Sequence, residues 1–589
     1  TSGSGSVHSH SAGGLAGKMG VPSLRAFAAS SLLVSIWTWS RGCSGQGDEP
    51  FQQPEQIHIG LGYDPSEMTV HWTTIQSSGQ SGKPEYRPGD SFVMYGLSPD
   101  SLTRASQGMS FLFRDFGSEK RAYTMHVAVM RGLSPSTTYH YVVGGNSSGW
   151  SSPYSFKSAP DTETLQDRLP MTYAVYGDQG DYNGQTLPSL QEAARKRELD
   201  MVLHVGDMAY NFDSDNGRNG DAWMRDIQPL AATVPYMVSV GNHESAQNYN
   251  HYTQRFRNMP SNSGNLSGFE EFGTVPNNWW YSWDSGLVHF VAVSTEVYFT
   301  HLELLPAMHG WLAKDLAGVN RSRTPWVIVH GHRPLYCSCD GDCDGAATTT
   351  RMGVKQRNGT WSYGLEELFY RNGVDLYVAG HEHDYERMYD VAPKYNHAAP
   401  WLSGVTTRST EDPPATTYIV TGSAGNVEDH EPFTRPAPAR SAKRLNTYGW
   451  SKLTVHNATH LLWQQVQTDR GQPASTWGTV MDETWIVQRH HGPFGSHPRR
   501  RLAETSSSAG TDKSGSGDFE DEKHSSALAF DPSARSQSPY AAAGCRHSRE
   551  GEAVCQDITF NEGMQRLGRW QFTRGLGQPQ GHVERAFTV

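Results

Sequence analysis

The stretch Met201-Val-Leu-His-Val-Gly-Asp-Met-Ala-Tyr210 decides the fold. It opens with a mostly apolar run of strand-forming residues that stops at Gly206, which is followed at once by Asp207. A short apolar run bounded by glycine is typical of a strand buried on both faces, as in parallel sheets. Ligands of open α/β sheets gather at the carboxyl ends of such strands. We therefore expect Asp207 and Tyr210 to lie at the functional edge of an α/β sheet.

Four further motifs repeat this arrangement, each at the end of a short apolar run. They are Asp178-Gln-Gly180, Gly241-Asn-His-Glu244, Val329-His-Gly-His332 and Gly380-His-Glu-His383. Carboxylate, phenolate, amide and imidazole groups together suit two hard or borderline metal ions bound side by side. Two such ions, roughly 3.5–4 Å apart, are a common device for hydrolysing phosphate esters. The pattern predicts a binuclear metallohydrolase.

This order of motifs resembles the metallophosphoesterase superfamily and, within it, the long-form purple acid phosphatases, from about Pro54 to about Val487. Many members of the superfamily begin with Asp-x-His, whereas this chain has Gly180 at the third position and Tyr210 three residues after Asp207. A phenol has a pKa of about 10, so a tyrosine ligand needs a strongly Lewis-acidic ion. The exchange therefore favours Fe(III).

The resemblance implies a ligand set in which Asp207 bridges the two metals. Fe(III) in the first site would be bound by Asp178, Asp207, Tyr210 and His383. Fe(II), Zn(II) or Mn(II) in the second site would be bound by Asp207, Asn242, His332 and His381. A phosphate monoester would then be hydrolysed by attack of a metal-bound hydroxide.

Three residues are candidates for contacts with the phosphate or the leaving group. His243 matches the family position that contacts phosphate or assists the leaving group. Plant members carry further histidines after the ligand that corresponds to His332, but this chain reads Arg333-Pro-Leu-Tyr336, which resembles the animal version. His330 and Arg333 are therefore additional candidates for contacts with the phosphate or the leaving group.

Two alternatives to a phosphomonoesterase stay open. One is a phosphodiesterase or nucleotide pyrophosphatase on the same metal centre, and the other is a non-catalytic surface binding protein that kept the fold. The chain has 49 Lys and Arg against 60 Asp and Glu, a net charge of −11. This composition lacks the excess of basic residues that is typical of nucleic-acid-binding proteins. We expect a small phosphorylated substrate, and the sequence leaves the oligomeric state open.

The 589 residues suggest several domains, at about 150 residues each. Strict alternation over 54–159, as in Met68-Thr-Val-His-Trp72, predicts a β-sandwich, which resembles the fibronectin-III-like amino domain of the family. Residues 169–487 would form the α/β metallophosphoesterase sandwich of βαβαβ units, with closing strands at 416–487. The Ser- and Gly-rich segment 489–589 predicts a largely disordered tail.

The amino terminus predicts a leader over 1–48. Its apolar core, Ala26–Trp39, spans about 14 residues, the length of a signal peptide and short for a membrane span. An uncleaved anchor is the alternative. Five glycosylation sequons agree with export: Asn146, Asn265, Asn320, Asn358 and Asn457. We therefore expect a glycoprotein that is secreted or held in an endomembrane or vacuolar lumen, without a stable membrane span.

Three cysteines crowd one loop beside His332: Cys337, Cys339 and Cys343. A zinc site is conceivable, but no fourth ligand is evident in the sequence, and a local disulfide is commoner in an oxidising compartment. The interleaved acidic residues resemble a calcium loop only faintly, because the terminal Glu of such a loop is missing. The pairing stays open, and the position of the loop suggests a part in substrate selection.

Overall fold

The structure, a computed structural model, describes residues 53–62, 64–75, 91–146, 149–268, 274–340, 343–395 and 402–494, with two short strands near the carboxyl end. The described residues belong to two compact units, one within Thr1–Glu504 and the other within Thr505–Val589. The predicted leader and nearly all of the predicted disordered tail lie outside the described residues. Among the described helices, none has the length and apolar character needed to cross a membrane.

The front domain consists of antiparallel sheets, as the alternating pattern predicted. Its strands are β1 (Glu55–Leu61), β2 (Met68–Thr74), β3 (Phe92–Gly96), β4 (Arg104–Gln107), β5 (Met109–Arg114), β6 (Ala122–Met130), β7 (Thr138–Gly145), β8 (Gly149–Trp150) and β9 (Tyr154–Lys157). One sheet has the order β1-β2-β6-β5, and the other has the order β4-β3-β7-β8 with β9 paired to β7. Met68, Val70 and Trp72 are fully buried, because alternate residues of a strand point to the same face.

The catalytic domain alternates strands and helices before it ends in antiparallel strands. Its helices are α1 (Leu165–Arg168), α2 (Leu187–Arg195), α3 (Arg218–Ala231), α4 (Ala246–Arg255), α5 (Leu305–Gly318), α6 (Cys343–Met352) and α7 (Leu365–Asn372). Its strands are β10 (Met171–Tyr176), β11 (Met201–His204), β12 (Tyr236–Val238), β13 (Tyr281–Ser285), β14 (Val288–Ala292), β15 (Trp326–His330), β16 (Gly353–Lys355), β17 (Trp361–Tyr363), β18 (Leu376–Ala379), β19 (Tyr385–Asp390), β20 (Thr417–Thr421), β21 (Ser441–Leu445), β22 (Gly449–Val455), β23 (His460–Gln467) and β24 (Val480–Val487).

Two large sheets form the catalytic domain. One has the order β12-β11-β10-β22-β23-β24, and the other has the order β13-β14-β15-β18-β20-β19-β21. The sheets pack together through aromatic side chains: the Tyr173 ring on β10 meets Phe290 on β14 at 5.2 Å between centroids. Within the sheets, β10, β11 and β12 are parallel, as are β14, β15, β18 and β20. The parallel strands therefore deliver their carboxyl ends, and the motifs that follow them, to shared edges.

A buried polar network joins the front domain to the catalytic domain. Asp221 on α3 accepts hydrogen bonds from Arg255 on α4 (2.9 Å), from Tyr123 on β6 (2.9 Å) and from Arg121 (2.7 Å). Asp221 and Arg255 are each about 1% exposed. Since a buried charge is tolerated only with a partner and hydrogen bonds, this network fixes the front domain against helices of the catalytic domain.

Two short strands, β25 (Arg546–His547) and β26 (Ala553–Val554), pair with each other in the second unit.

Candidate metal centre

The loops after β10 and β11 remain paired beyond the strands and carry the first two predicted ligands. The N–H of Asp178 donates to Gly206 O at 3.1 Å, and the N–H of Gln179 donates to Asp207 O at 3.2 Å. Gly206 has a φ of +93°, and a Cβ added there would lie 2.5 Å from Nδ1 of His332. Glycine is required here both for the left-handed backbone and for the close approach of the histidine ring.

Three of the predicted first-site ligands form one cluster. The Tyr210 hydroxyl lies 3.2 Å from Asp178 Oδ1 and 2.8 Å from His383 Nε2. His383 Nε2 lies 3.7 Å from Asp178 Oδ1. All three side chains therefore direct donor atoms to one point.

The predicted second-site ligands form an adjoining cluster around Asp207. His332 Nε2 lies 3.1 Å from Asp207 Oδ2, 2.9 Å from Asn242 Oδ1 and 3.2 Å from His381 Nδ1. The donor atoms of Asp207, His332 and His381 all lie within 4.8 Å of one another. Together the two clusters bring all seven predicted ligands into one site.

Two histidines have a tautomer that the main chain fixes. His332 Nδ1 lies 3.0 Å from Val205 O, and His383 Nδ1 lies 3.0 Å from Asp429 O. A carbonyl oxygen only accepts, so each Nδ1 carries a proton, and in the neutral ring Nε2 presents a lone pair. That lone pair of His332 then faces a carboxylate oxygen and an amide oxygen. The three electron-rich atoms repel one another unless a cation or a proton lies between them. Outer hydrogen bonds of this kind are typical of metal-binding histidines, and these residues fit a metal ion.

His381 is held differently. Its Nε2 lies 2.9 Å from Nη1 of Arg333, and a guanidinium can only donate. In this arrangement Nε2 accepts and Nδ1 carries the proton. Coordination through Nδ1 would require that proton to move to Nε2 and Arg333 to withdraw its N–H.

Main-chain N–H groups orient both carboxylates. The N–H of His381 donates to Asp178 Oδ2 at 2.9 Å, and the N–H of His243 donates to Asp207 Oδ1 at 2.8 Å. Burial raises the pKa of Asp178 well above its usual range, and the neighbouring Asp207 adds to the effect although His332 opposes it. Burial lowers the pKa of His332, but the effect of the Asp207 carboxylate is larger, and the pKa of His332 is raised to about 10. The site thus concentrates negative charge that a cation would neutralise.

Glu244 supports the Asp207 loop. Its carboxylate accepts N–H groups of Asp207 (3.0 Å), Met208 (2.9 Å) and Gly241 (2.8 Å). Its partners are main-chain groups, so Glu244 orients the loop. Burial, assisted by Asp207, raises the pKa of Glu244 to about 7.

Four predicted ligands have left-handed backbones: Asp178 (φ 60°), Asp207 (φ 50°), Tyr210 (φ 44°) and His381 (φ 72°). Residues other than glycine rarely adopt this region, and such strain clusters at functional sites. Its concentration in these loops supports a functional role for them.

A cavity of about 180 Å³ opens beside the two clusters. Its lining residues are Asp207, Asn242, His243, His381, Glu382, His383, Glu428 and Glu431. None of these eight described residues is a lysine or an arginine, so the side chains alone give the cavity no fixed positive charge to receive a phosphate.

His243 lies at this cavity, half-buried. Its Nδ1 is 2.7 Å from Asn211 Oδ1, and its Nε2 is 3.4 Å from Glu428 Oε2. Sequence reasoning missed Glu428 and Glu431, which follow β20 in a loop without a recognisable motif. Only the fold brings that loop to the strand ends.

The other two candidates for phosphate contacts lie elsewhere. His330 is fully buried, with Nδ1 3.3 Å from Ser239 Oγ and its ring against Trp283. Because His330 has no access to the cavity, its predicted contact does not fit its position. Arg333 is bound by Glu296 at 2.9 Å through Nε and contacts the far side of the His381 ring. It therefore contacts a predicted ligand and is not among the residues that line the cavity.

The cysteine loop contains one disulfide, between Cys337 and Cys343, while Cys339 is buried and remains a thiol.

The five sequon asparagines, Asn146, Asn265, Asn320, Asn358 and Asn457, are all exposed. Their modification stays a prediction.

Three family descriptions match consecutive parts of the chain. "Purple acid Phosphatase, N-terminal domain" matches residues 54–158, "Calcineurin-like phosphoesterase" matches 171–385, and "Iron/zinc purple acid phosphatase-like protein C" matches 415–482. The chain belongs to the purple acid phosphatase family. The family implies a binuclear metal centre, which agrees with the two clusters.

Curated relatives cover the same region. Acid phosphatase type 7 of Homo sapiens is 38% identical over 458 residues, covering 76% of this chain and 94% of the relative. Phosphoenolpyruvate phosphatase of Allium cepa is 29% identical, with 71% and 80% covered. A purple acid phosphatase structure from seeds of yellow lupin (Lupinus luteus) matches with a TM-score of 0.55 at 20% identity, covering 74% of this chain and 75% of that chain. This last likeness shows a shared fold.

Proposed function

We propose that this member of the purple acid phosphatase family is an acid phosphatase that hydrolyses small phosphate monoesters at a binuclear metal centre. The observation that carries the proposal is the orientation of His332 and His383, whose Nδ1 atoms bond to main-chain carbonyls while their Nε2 atoms face acidic or phenolic oxygens. A set of buried acceptors directed at common points is suited to cations. It would be costly to retain without them.

Each metal would have its own ligands and share one carboxylate. Fe(III) would be held by Asp178, Asp207, Tyr210 and His383, and Fe(II), Zn(II) or Mn(II) by Asp207, Asn242, His332 and His381. Such cations would supply the Lewis acidity that a phosphate ester and an attacking water require.

The side chains around the cavity would complete the reaction. His243 can donate from Nε2 when protonated, because Asn211 holds Nδ1 and leaves Nε2 directed to the cavity side. It would give that proton to the leaving alkoxide. The carboxylate of Glu428 lies 3.4 Å from Nε2 and can accept a hydrogen bond from it. Glu244 would hold the Asp207 loop in place through its three N–H contacts.

Three experiments test this function. Purified enzyme should hydrolyse nitrophenyl phosphate faster than bis-nitrophenyl phosphate, and elemental analysis should find about two metals per chain, including iron. A preference for the diester would favour a phosphodiesterase or nucleotide pyrophosphatase, and no turnover by metal-loaded protein would favour a binding protein. Tyr210→Phe should abolish a visible phenolate-to-iron band that the wild type shows.

The cellular location is also part of the proposal. The exposed sequons and the apolar leader support a glycoprotein that is exported to the cell exterior or to an endomembrane or vacuolar lumen. Treatment with an endoglycosidase should increase the electrophoretic mobility of protein from its native source, and an unchanged mobility would contradict glycosylation.

A further inference from the structure

Three cysteines and two acidic residues form a second cluster beside the metal centre. This cysteine–carboxylate cluster consists of Cys337, Cys339, Cys343, Glu382 and Asp384. Cys339 Sγ donates to Glu382 Oε2 at 2.7 Å, and Cys337 Sγ lies 3.7 Å from Glu382 Oε1. One donor atom from each of the three cysteines and from Glu382 lies within 4.8 Å of the others. All five side chains are buried.

Asp384 is an independent indication that the cluster suits a cation. It is about 1% exposed, and neither of its oxygens has a well-formed hydrogen bond among the described residues, although Cys339 faces it. A buried carboxylate without a partner is costly. Positive charge does approach the loop from outside, since Arg440 donates to Cys337 O at 2.8 Å and Arg435 donates to Cys339 O.

We propose that the cysteine–carboxylate cluster is a third metal site, for zinc, which forms when the Cys337–Cys343 disulfide is reduced. Three thiolates and one carboxylate are a suitable tetrahedral set for Zn²⁺. Sulfur ligands about 2.3 Å from zinc lie about 3.8 Å apart on a tetrahedron, so donors already within 4.8 Å need only small movements. In the oxidised form two of the sulfurs are bonded to each other, and the set is incomplete.

The chemistry balances with a dithiol as the reductant. The dithiol transfers two electrons and two protons to the disulfide, giving the thiols of Cys337 and Cys343 and an oxidised cyclic disulfide. Zinc binding then releases three protons, one from each cysteine. Glu382 lies between the predicted ligands His381 and His383, yet the two sites share no ligand atom.

The experiment compares zinc content in the two redox states. One sample of the full chain is treated with dithiothreitol, and a second sample is left oxidised. Both are equilibrated with zinc, and the unbound zinc is then removed. The number of zinc and iron ions per chain is measured in each sample. We expect the reduced wild type to hold about one zinc more than the oxidised form. Cys339→Ser should remove that increment, while Ser338→Ala, in the neighbouring residue of the same loop, should keep it.

A second measurement needs no variant. Zinc should slow alkylation of the three thiols by iodoacetamide in the reduced wild type, because a metal-bound thiolate is protected. Equal zinc contents in the two redox states would overturn the proposed zinc site. An alkylation rate that is the same with and without zinc would also overturn it. Nitrophenyl phosphatase activity in the same oxidised samples tests the proposed function separately, since the oxidised form lacks the third site but keeps the binuclear one.

Discussion

His243 is the residue at which catalysis and metal binding can be separated. Its side chain lines the cavity with Nε2 3.9 Å from Asp207 Oδ2, and its main-chain N–H donates to Asp207 Oδ1 at 2.8 Å. We expect His243→Ala to keep its metals and to lower kcat/KM about 10²- to 10⁴-fold, the usual contribution of a general acid. The loss should be larger for an alkyl phosphate than for nitrophenyl phosphate, because an alkoxide needs the proton more.

His309→Ala is a suitable control, since that ring packs on Tyr363 and outside the cavity lining. Equal losses on both substrates would rule out proton donation by His243. A fall in metal content would instead assign it a structural role.

Gly206 offers a residue-scale test of the site geometry. Gly206→Ala combines a strained φ of +93° with a Cβ that would approach His332 Nδ1 to 2.5 Å. Gly264→Ala has a similar φ of +86° but no neighbour within 4 Å, so it carries the backbone cost alone. We expect Gly206→Ala to lose second-site metal by elemental analysis and Gly264→Ala to retain it. Full metal in both variants would contradict the placement of His332.

At the element scale, the β13–β14 hairpin is joined to helix α5 by one charged histidine. His289 Nδ1 lies 2.8 Å from Asp284 Oδ1 across the hairpin, and Nε2 lies 3.0 Å from Asp315 Oδ2 on the helix. Burial lowers the pKa of His289, but the two carboxylates have the larger opposite effect. The pKa of His289 is therefore raised from 6.5 to about 9. At about 1.36 kcal/mol per unit, this difference corresponds to about 3 kcal/mol of stability.

The sign of the pH dependence follows from the raised pKa. The stabilisation is complete below the unfolded value and is lost as the pH rises through about 9. We expect the gap in melting temperature between wild type and His289→Asn to narrow from about pH 6 to about pH 9. A gap that is constant across this range would show that His289 is not charged in the folded protein.

Sequence patterns predicted the elements better than their pairing. The apolar run Met171–Tyr176 corresponds to β10, because a strand buried on both faces is continuously apolar. The run Trp450–Val455, within the closing strands that the family resemblance implied, corresponds to β22. Nothing in either run indicates that β22 returns to lie antiparallel beside β10, with Met171 opposite Val455. That pairing depends on packing between distant segments.

The same limit applies to the site. The seven predicted ligands were recognisable because each follows a strand end within a short motif. The positions of Glu428 and Glu431 at the cavity depend on loops that meet only in the folded chain. The same holds for the contact between Cys339 and Glu382, which are separated by 43 residues in the sequence. Local sequence therefore revealed the metal ligands, but not the acidic rim of the cavity or the fourth donor of the cysteine cluster.

At the scale of the whole catalytic unit, Asp221 connects the front domain to the catalytic domain. Asp221→Asn would leave the Arg255 guanidinium buried beside a neutral amide, and breaking such a pair costs about 3–5 kcal/mol. Glu67→Gln is the matched control, since the Arg131–Glu67 pair (2.9 Å) lies on the surface with its arginine 60% exposed and should contribute at most about 1 kcal/mol. Urea denaturation gives both values, and similar losses would contradict a role in holding the domains together.

A double-mutant cycle with Arg255→Met tests the connection itself. Asp221→Asn leaves Arg255 buried without an anionic partner, and Arg255→Met leaves Asp221 with Arg121 as its remaining cation, so each change should destabilise the protein. The double variant removes both charges and should lose less than the sum of the two, by about 0.5–3 kcal/mol. Additive losses would mean that Arg255 is stabilised mainly by Gln56 and Tyr123, which it contacts at 2.9 Å and 2.7 Å, and not by Asp221.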